Sequence, residues 1–194
     1  MKIIAITGSI GCGKTTLAHI VRRLGYLVYD VDGWVRRLYY KKDFINAVGN
    51  AFPEVIENGK VNKRKLRTIV FGDNLRLKTL ESLVHPFLWQ TFKEMRRRNA
   101  FKDDLFFVDV ALLFEMGWDK LCDYIIVADV DYEIQKQRVM KRDNITAADF
   151  ENINKLQLNN NCKKLLADAV ITTDKPYNLL AVDLLSLIDE IEDC

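Results

Sequence analysis

Residues 8–16 read GSIGCGKTT, directly after the apolar run KIIAIT at residues 2–7. Gly8, Gly13, Lys14 and Thr15 occupy the fixed positions of G-x-x-x-x-G-K-[ST]. A strand pattern precedes the motif and a helical pattern, Thr15–Leu24, follows it. Glycine lets the backbone turn its N–H groups inward, where they meet phosphate oxygens, and the following helix adds its positive end. Lys14 then reaches the β- and γ-phosphates while the Thr15 hydroxyl is the Mg²⁺ ligand. A glycine-rich turn that merely joins strand to helix is the plainer alternative, and the strand–loop–helix context counts against it. The stretch predicts ATP or GTP held by Gly8, Gly11, Cys12, Gly13, Lys14, Thr15 and Thr16.

The rest of the chain repeats this alternation. Strands are expected at Lys2–Ile6, Tyr26–Tyr29, Leu105–Val110, Tyr124–Ala128 and Ala169–Thr172, with helices at Tyr132–Arg142 and Tyr177–Ile191. Gly25 is placed to end the first helix. Short apolar strands separated by helices predict an α/β fold, a parallel sheet of about five strands with helices on both faces. From about Gly33 to Asn99 the pattern is helical, with no convincing strand. Pro86 suits the first position of a helix running to about Arg98. This stretch reads as an insertion after the second strand, overhanging the strand ends where open α/β sheets bind ligands.

Composition narrows the partners. With 194 residues there is material for one sizeable core, and 49% hydrophobic and 29% charged residues are an ordinary globular balance. A formal charge of +2 gives no footprint for nucleic acid. No apolar run approaches the roughly 20 residues of a membrane span, and the N-terminal run is too short for a signal peptide. Four cysteines, at 12, 122, 162 and 194, lack zinc-knuckle spacing and a dense disulfide pattern, which predicts a reducing cytoplasm.

A GTPase would carry Asn-Lys-x-Asp, and Asn154-Lys155-Leu156-Gln157 lacks the aspartate. Size favours a small-molecule kinase, which needs a base near the acceptor and cations around the moving phosphoryl group. Asp30 and Asp32, two apart in extended chain, would share one side; the alternative is a helix N-cap. Asp131 is a candidate N-cap for a helix on which Gln135, Arg138 and Arg142 fall within an arc of about 60°. That face either closes over a polyphosphate or is a solvated surface pairing with Glu133. Asp109 is either a magnesium-side acid or ordinary strand-end polarity. Lys63-Arg64-Lys65 reads as a solvated face or, alternatively, a contact to a phosphorylated substrate, Arg96-Arg97-Arg98 as complementing its helix dipole, and His85 as a turn or core residue.

In order along the chain, several of these motifs together resemble the dephospho-CoA kinase family. They are the loop Gly8–Thr16, Asp30-Val31-Asp32 with Arg36, Asn58-Gly59-Lys60-Val61-Asn62, Leu66, Val70-Phe71, Leu80-Glu81 and His85-Pro86. Asp109-Val110-Ala111-Leu112-Leu113-Phe114-Glu115, then Gln135, Arg138 and Arg142, then Gln157, Lys163 and Ala167-Asp168 complete the set. The resemblance implies a P-loop core, about 1–32 and 103–194, a helical substrate insertion, about 33–102, and a lid, about 132–158. It implies transfer of the ATP γ-phosphate, with Mg²⁺, to the ribose 3′-hydroxyl of dephospho-CoA. It makes Asp32 the base or hydroxyl-orienting group, Lys14 and Arg138 catalytic cations, Arg36 a substrate contact, and Arg138 and Arg142 lid residues over ATP. Ala111, Lys63, Thr173 and Ile153 stand where the family usually has proline, arginine, asparagine and arginine. A nucleoside or nucleoside-monophosphate kinase, and an ATP-binding regulatory protein without transfer activity, are the other readings open at this point.

Overall fold

The computed structural model describes residues 2–71, 73–99 and 105–193. In order these form β1 (Lys2–Thr7), α1 (Lys14–Arg23), β2 (Val28–Asp30), α2 (Val31–Leu38), α3 (Lys42–Ala51), β3 (Ile56–Glu57) and β4 (Lys60–Val61). There follow α4 (Lys63–Phe71), α5 (Asn74–Asn99), β5 (Leu105–Asp109), β6 (Tyr124–Asp129) and α6 (Tyr132–Asp143). The chain ends with α7 (Ala147–Asn154), α8 (Asn160–Leu165), β7 (Ala169–Thr172) and α9 (Tyr177–Asp193). Two compact units emerge, Met1–Val31 with Lys102–Cys194, and Asp32–Phe101.

The first unit is built on a five-stranded parallel sheet in the order β2-β5-β1-β6-β7. Parallel strands covered on both faces need continuous apolar runs rather than alternation. On one face Ile4, Ile6, Leu105, Phe107, Ile126 and Ile171 pack with Leu17, Ile20 and Val21 of α1 and Leu180, Leu184 and Ile188 of α9. The alternate residues Ile3, Ala5, Phe106, Val108, Ile125 and Val127 are buried as well. β1 therefore lies at the centre of the sheet and delivers the chain into residues 8–16. The second strand starts two residues later than expected, because β5 pairs with Val28–Asp30 rather than with Tyr26.

The second unit is mainly helical. Phe44, at its centre, meets Tyr39 and Phe87 edge-on, with ring centroids 5.2 and 5.6 Å away. Val48, Val55, Leu66, Val84 and Leu88 are among the buried residues of its core. Two expectations are corrected here. A β-hairpin, Ile56–Val61, lies inside the stretch expected to hold no strand, turning on Asn58 and Gly59, both at positive φ. Asn-Gly favours such a two-residue turn, but two-residue strands are too short for period-2 alternation to reveal them. Pro86 lies in the interior of α5 rather than at a helix start. It has no N–H to give the Ser82 carbonyl, a local loss outweighed by the burial of Leu80, Val84 and Leu88 along the same helix. The expected arginine cluster falls partly outside the description, since the side chains of Arg96 and Arg98 are outside the described set, as are Cys194 and the expected boundary near residue 102.

Candidate nucleotide site

The residues after β1 wrap a cavity of about 690 Å³ in the first unit. Its wall includes Gly8, Gly11, Gly13, Lys14, Thr15 and Thr16, together with Arg138, Arg142, Gln157, Thr173, Lys175 and Tyr177. Positive φ and close packing explain two of the glycines. Gly13 has φ +89°, and a Cβ there would lie 2.7 Å from Thr173 Oγ1. At Gly11, φ +80°, a Cβ would lie 2.5 Å from Val139 and 3.0 Å from the Gln135 carbonyl oxygen. An L side chain at either place is strained by the positive φ and clashes with a packed neighbour.

Side chains grip this loop from its outer side. Thr173 Oγ1 donates to the Cys12 carbonyl (2.8 Å), and Gln135 Nε2 to the Ile10 carbonyl (2.7 Å). The Ile10 N–H donates to Gln157 Oε1 (2.8 Å) and the Ser9 N–H to Asn160 Oδ1 (3.1 Å). The Ser9 and Ile10 amides are thus taken by side chains, and the Cys12 amide donates to the Ser9 carbonyl (3.1 Å). Lys14 Nζ donates to Asp109 Oδ1 at the end of β5, an ion pair with side chains 15% and 10% exposed. The ammonium is thus fixed at the C-terminal edge of the sheet, the ligand side of open α/β folds.

The arginine-bearing face of α6 is sorted by depth. Asp131 caps the helix by accepting from the Glu133 N–H (2.8 Å). Gln135 is buried against the loop, whereas Arg138 and Arg142 reach the cavity wall. Arg138 donates from Nη1 to Thr173 Oγ1 (3.1 Å) and from Nη2 to the Thr173 carbonyl (2.9 Å). Arg142 pairs with Asp143, which raises its pKa further above the usual guanidinium value. Neither of these contacts is the Glu133 pairing of the solvated-face reading. Threonine at 173 thus links the loop to Arg138 through one hydroxyl.

Asp30 ends β2, with Asp109 as its register partner, while Asp32 lies in the first turn of α2 and in the second unit. Contrary to expectation the two do not share an extended segment, because the backbone has already turned helical at Val31, and extended-chain alternation does not put them on a common side. Arg36 lies four residues after Asp32 on the same helix face. Lys63 donates to the Arg36 carbonyl (3.5 Å) and lies over the rings of Tyr39 and Tyr40 (5.0 and 4.8 Å). Lys175 and Tyr177, just after β7, were not anticipated as cavity residues. The general rule that ligands gather beyond the carboxyl ends of parallel strands would have found them.

Cys12 is buried within the loop, and burial pushes its thiol up to about 11; Cys122 is pushed up to about 12 for the same reason. Cys162 is exposed. Iodoacetamide near pH 8 is expected to alkylate Cys162 in the folded protein and Cys12 roughly a hundredfold more slowly. Peptide mass mapping with and without urea measures this, and rapid labelling of Cys12 without urea would contradict its burial.

A model of the family described as Dephospho-CoA kinase matches residues 2–178. A dephospho-CoA kinase of Bartonella quintana is 36% identical over 194 residues, covering 98% of both chains. The chain belongs to the dephospho-CoA kinase family. A relative of the same name from Fusobacterium nucleatum is 36% identical over 175 residues, 88% of this chain and 89% of that one. A solved structure from Thermus thermophilus matches with a TM-score of 0.83 at 31% identity over 97% of each chain. The shikimate kinase of Acinetobacter baumannii, TM-score 0.56 at 17% identity over 98% and 94%, shares the fold.

Proposed function

We propose that this chain is an ATP-dependent dephospho-CoA kinase, moving the γ-phosphate to the ribose 3′-hydroxyl with coenzyme A and ADP as products. The observation that supports this most is one cavity bounded by the phosphate loop, Lys14, Arg138 and Arg142, in a chain of this family. In this reading Lys14 and the loop amides hold the β- and γ-phosphates, and the two arginines spread the charge of the transition state. Arg138 arrives already oriented by its two bonds to Thr173. Helices α6 and α7 act as the lid, Asp32 accepts or orients the hydroxyl proton, Arg36 contacts the acceptor, and the Asp32–Phe101 unit supplies the remaining acceptor contacts. Acceleration comes mainly from positioning and electrostatics rather than from a strong base.

The donor set suits Mg²⁺. Thr15 offers an exposed hydroxyl at the cavity wall, and among the described residues no group of three His, Cys, Asp or Glu could form an all-protein cage. Magnesium keeps waters and substrate phosphates as ligands and needs few protein ones. When bound it neutralises charge on the β- and γ-oxygens, and Thr15 would hold it.

The test is ADP release from ATP and Mg²⁺ with dephospho-CoA, AMP, adenosine or no acceptor, with products identified by mass spectrometry. Release dependent on dephospho-CoA, with coenzyme A formed, is expected, and EDTA is expected to abolish it reversibly. Activity confined to AMP or adenosine would overturn the acceptor. ATP binding without transfer to any acceptor would overturn the enzyme reading.

A further inference from the structure

Lys163, on the six-residue helix α8, is completely buried, at 0% exposure. Burying an ammonium is expensive, and a buried ion pair replaced as a whole by well-packed apolar residues is often no less stable. Its surroundings suggest what the charge is for. Nζ donates to Glu115 (2.8 Å) and to the Ala111 carbonyl (3.0 Å), both on the segment after β5. Glu115 Oε1 also accepts the Leu158 N–H (2.8 Å). Leu158 lies between the two residues that grip the phosphate loop, Gln157 and Asn160, and its own carbonyl accepts from Ser9 Oγ (3.4 Å). The second carboxylate oxygen, Oε2, is buried without a hydrogen-bond partner among the described residues.

We propose that Lys163 is a positioning residue for phosphoryl transfer: with Glu115 it locks segment 157–160 to the strand-β5 loop and thereby sets the outer edge of the phosphate loop. The chain of contacts is continuous. Lys163 holds Glu115, Glu115 holds the Leu158 amide, and Gln157 and Asn160 hold the Ile10 and Ser9 amides. Loss of the ammonium lets residues 157–160 shift, and Ser9 and Ile10 shift with them. Displacements of about 1 Å in such a cradle are worth up to a hundredfold in rate.

The inference rests on the kinase reading for its catalytic readout only, so its first test is binding. Lys163→Met, Glu115→Gln and the double variant are titrated with inorganic tripolyphosphate and Mg²⁺ by calorimetry, at a temperature where circular dichroism shows them folded. Each single variant is expected to bind roughly tenfold more weakly, and the double variant no more weakly than the worse single one, because both changes break the same link. With dephospho-CoA as acceptor, kcat falls and KM for ATP rises, while KM for dephospho-CoA stays within about twofold. A folded Lys163→Met variant that binds tripolyphosphate as the parent does, with only its melting temperature lowered, overturns the proposal. Should Lys163→Met not fold, Gln157→Met leaves the buried pair intact and cuts one contact to the loop. Severalfold weaker tripolyphosphate binding is then expected, and unchanged binding overturns the proposal. Weakened tripolyphosphate binding in a series whose parent makes no coenzyme A would sustain it and refute the acceptor assignment instead.

Discussion

Replacing Lys14 with methionine is expected to lower turnover by about three orders of magnitude, with ATP binding weakened as well. Methionine keeps most of the aliphatic stem, so the change removes a charge rather than a volume. That charge has two jobs. It is the cation nearest the transferring phosphate in the proposed mechanism, and it is the ion-pair partner of Asp109 at the end of β5. Removing it leaves a carboxylate that is only 10% exposed without its ammonium. A stability loss of roughly 1–3 kcal/mol is expected, below the figure for a fully buried pair because both groups keep some water. The double variant Lys14→Met/Asp109→Asn separates the jobs: urea unfolding returns toward the parent while turnover stays low. Turnover within tenfold of the parent in either variant would remove Lys14 from the chemistry.

Asp32→Asn is expected to reduce kcat by about 10²–10⁴-fold and to leave KM for ATP within about threefold. Asparagine preserves size and hydrogen-bonding shape but takes no proton. The stability term is small and of known origin: an acidic residue in the first turn of α2 interacts favourably with the helix dipole, worth about 0.3–1 kcal/mol at most. The two readings of Asp32 therefore diverge. A residue acting through the helix terminus alone loses activity only in proportion to the unfolded fraction, whereas a group at the acceptor hydroxyl loses it in fully folded protein.

How far the sequence reached depended on the range of the determining contacts. The phosphate loop was legible because its requirements are local: glycines at fixed spacing, a lysine, a hydroxyl, a strand before and a helix after. The parallel sheet was legible for a similar reason, since β1, β5 and β6 are unbroken apolar runs. Thr173, Gln157 and Asn160 were not legible as supports of the loop, because the loop meets them across as many as 161 residues, the separation of Thr173 from Cys12. Pro86 misled because a strong local signal was overridden by burial along α5. Asp30 and Asp32 misled because the strand-to-helix change falls between them, at Val31, with no glycine or proline to announce it.

The position of β1 in the sheet has a consequence for biosynthesis. Both of its neighbours are late: Ile6 pairs in register with Asp109 and Ile126, so roughly 100 residues must be synthesised before its first partner strand exists. At typical ribosomal speeds of about 5–20 residues per second, this apolar strand waits on the order of 5–20 s without a mate. Residues 32–101, which form a compact unit of their own, are all synthesised before then. The nascent strand β1 is therefore the segment that chaperones are expected to shield, and slowing translation before residue 105 is expected to lower the soluble yield.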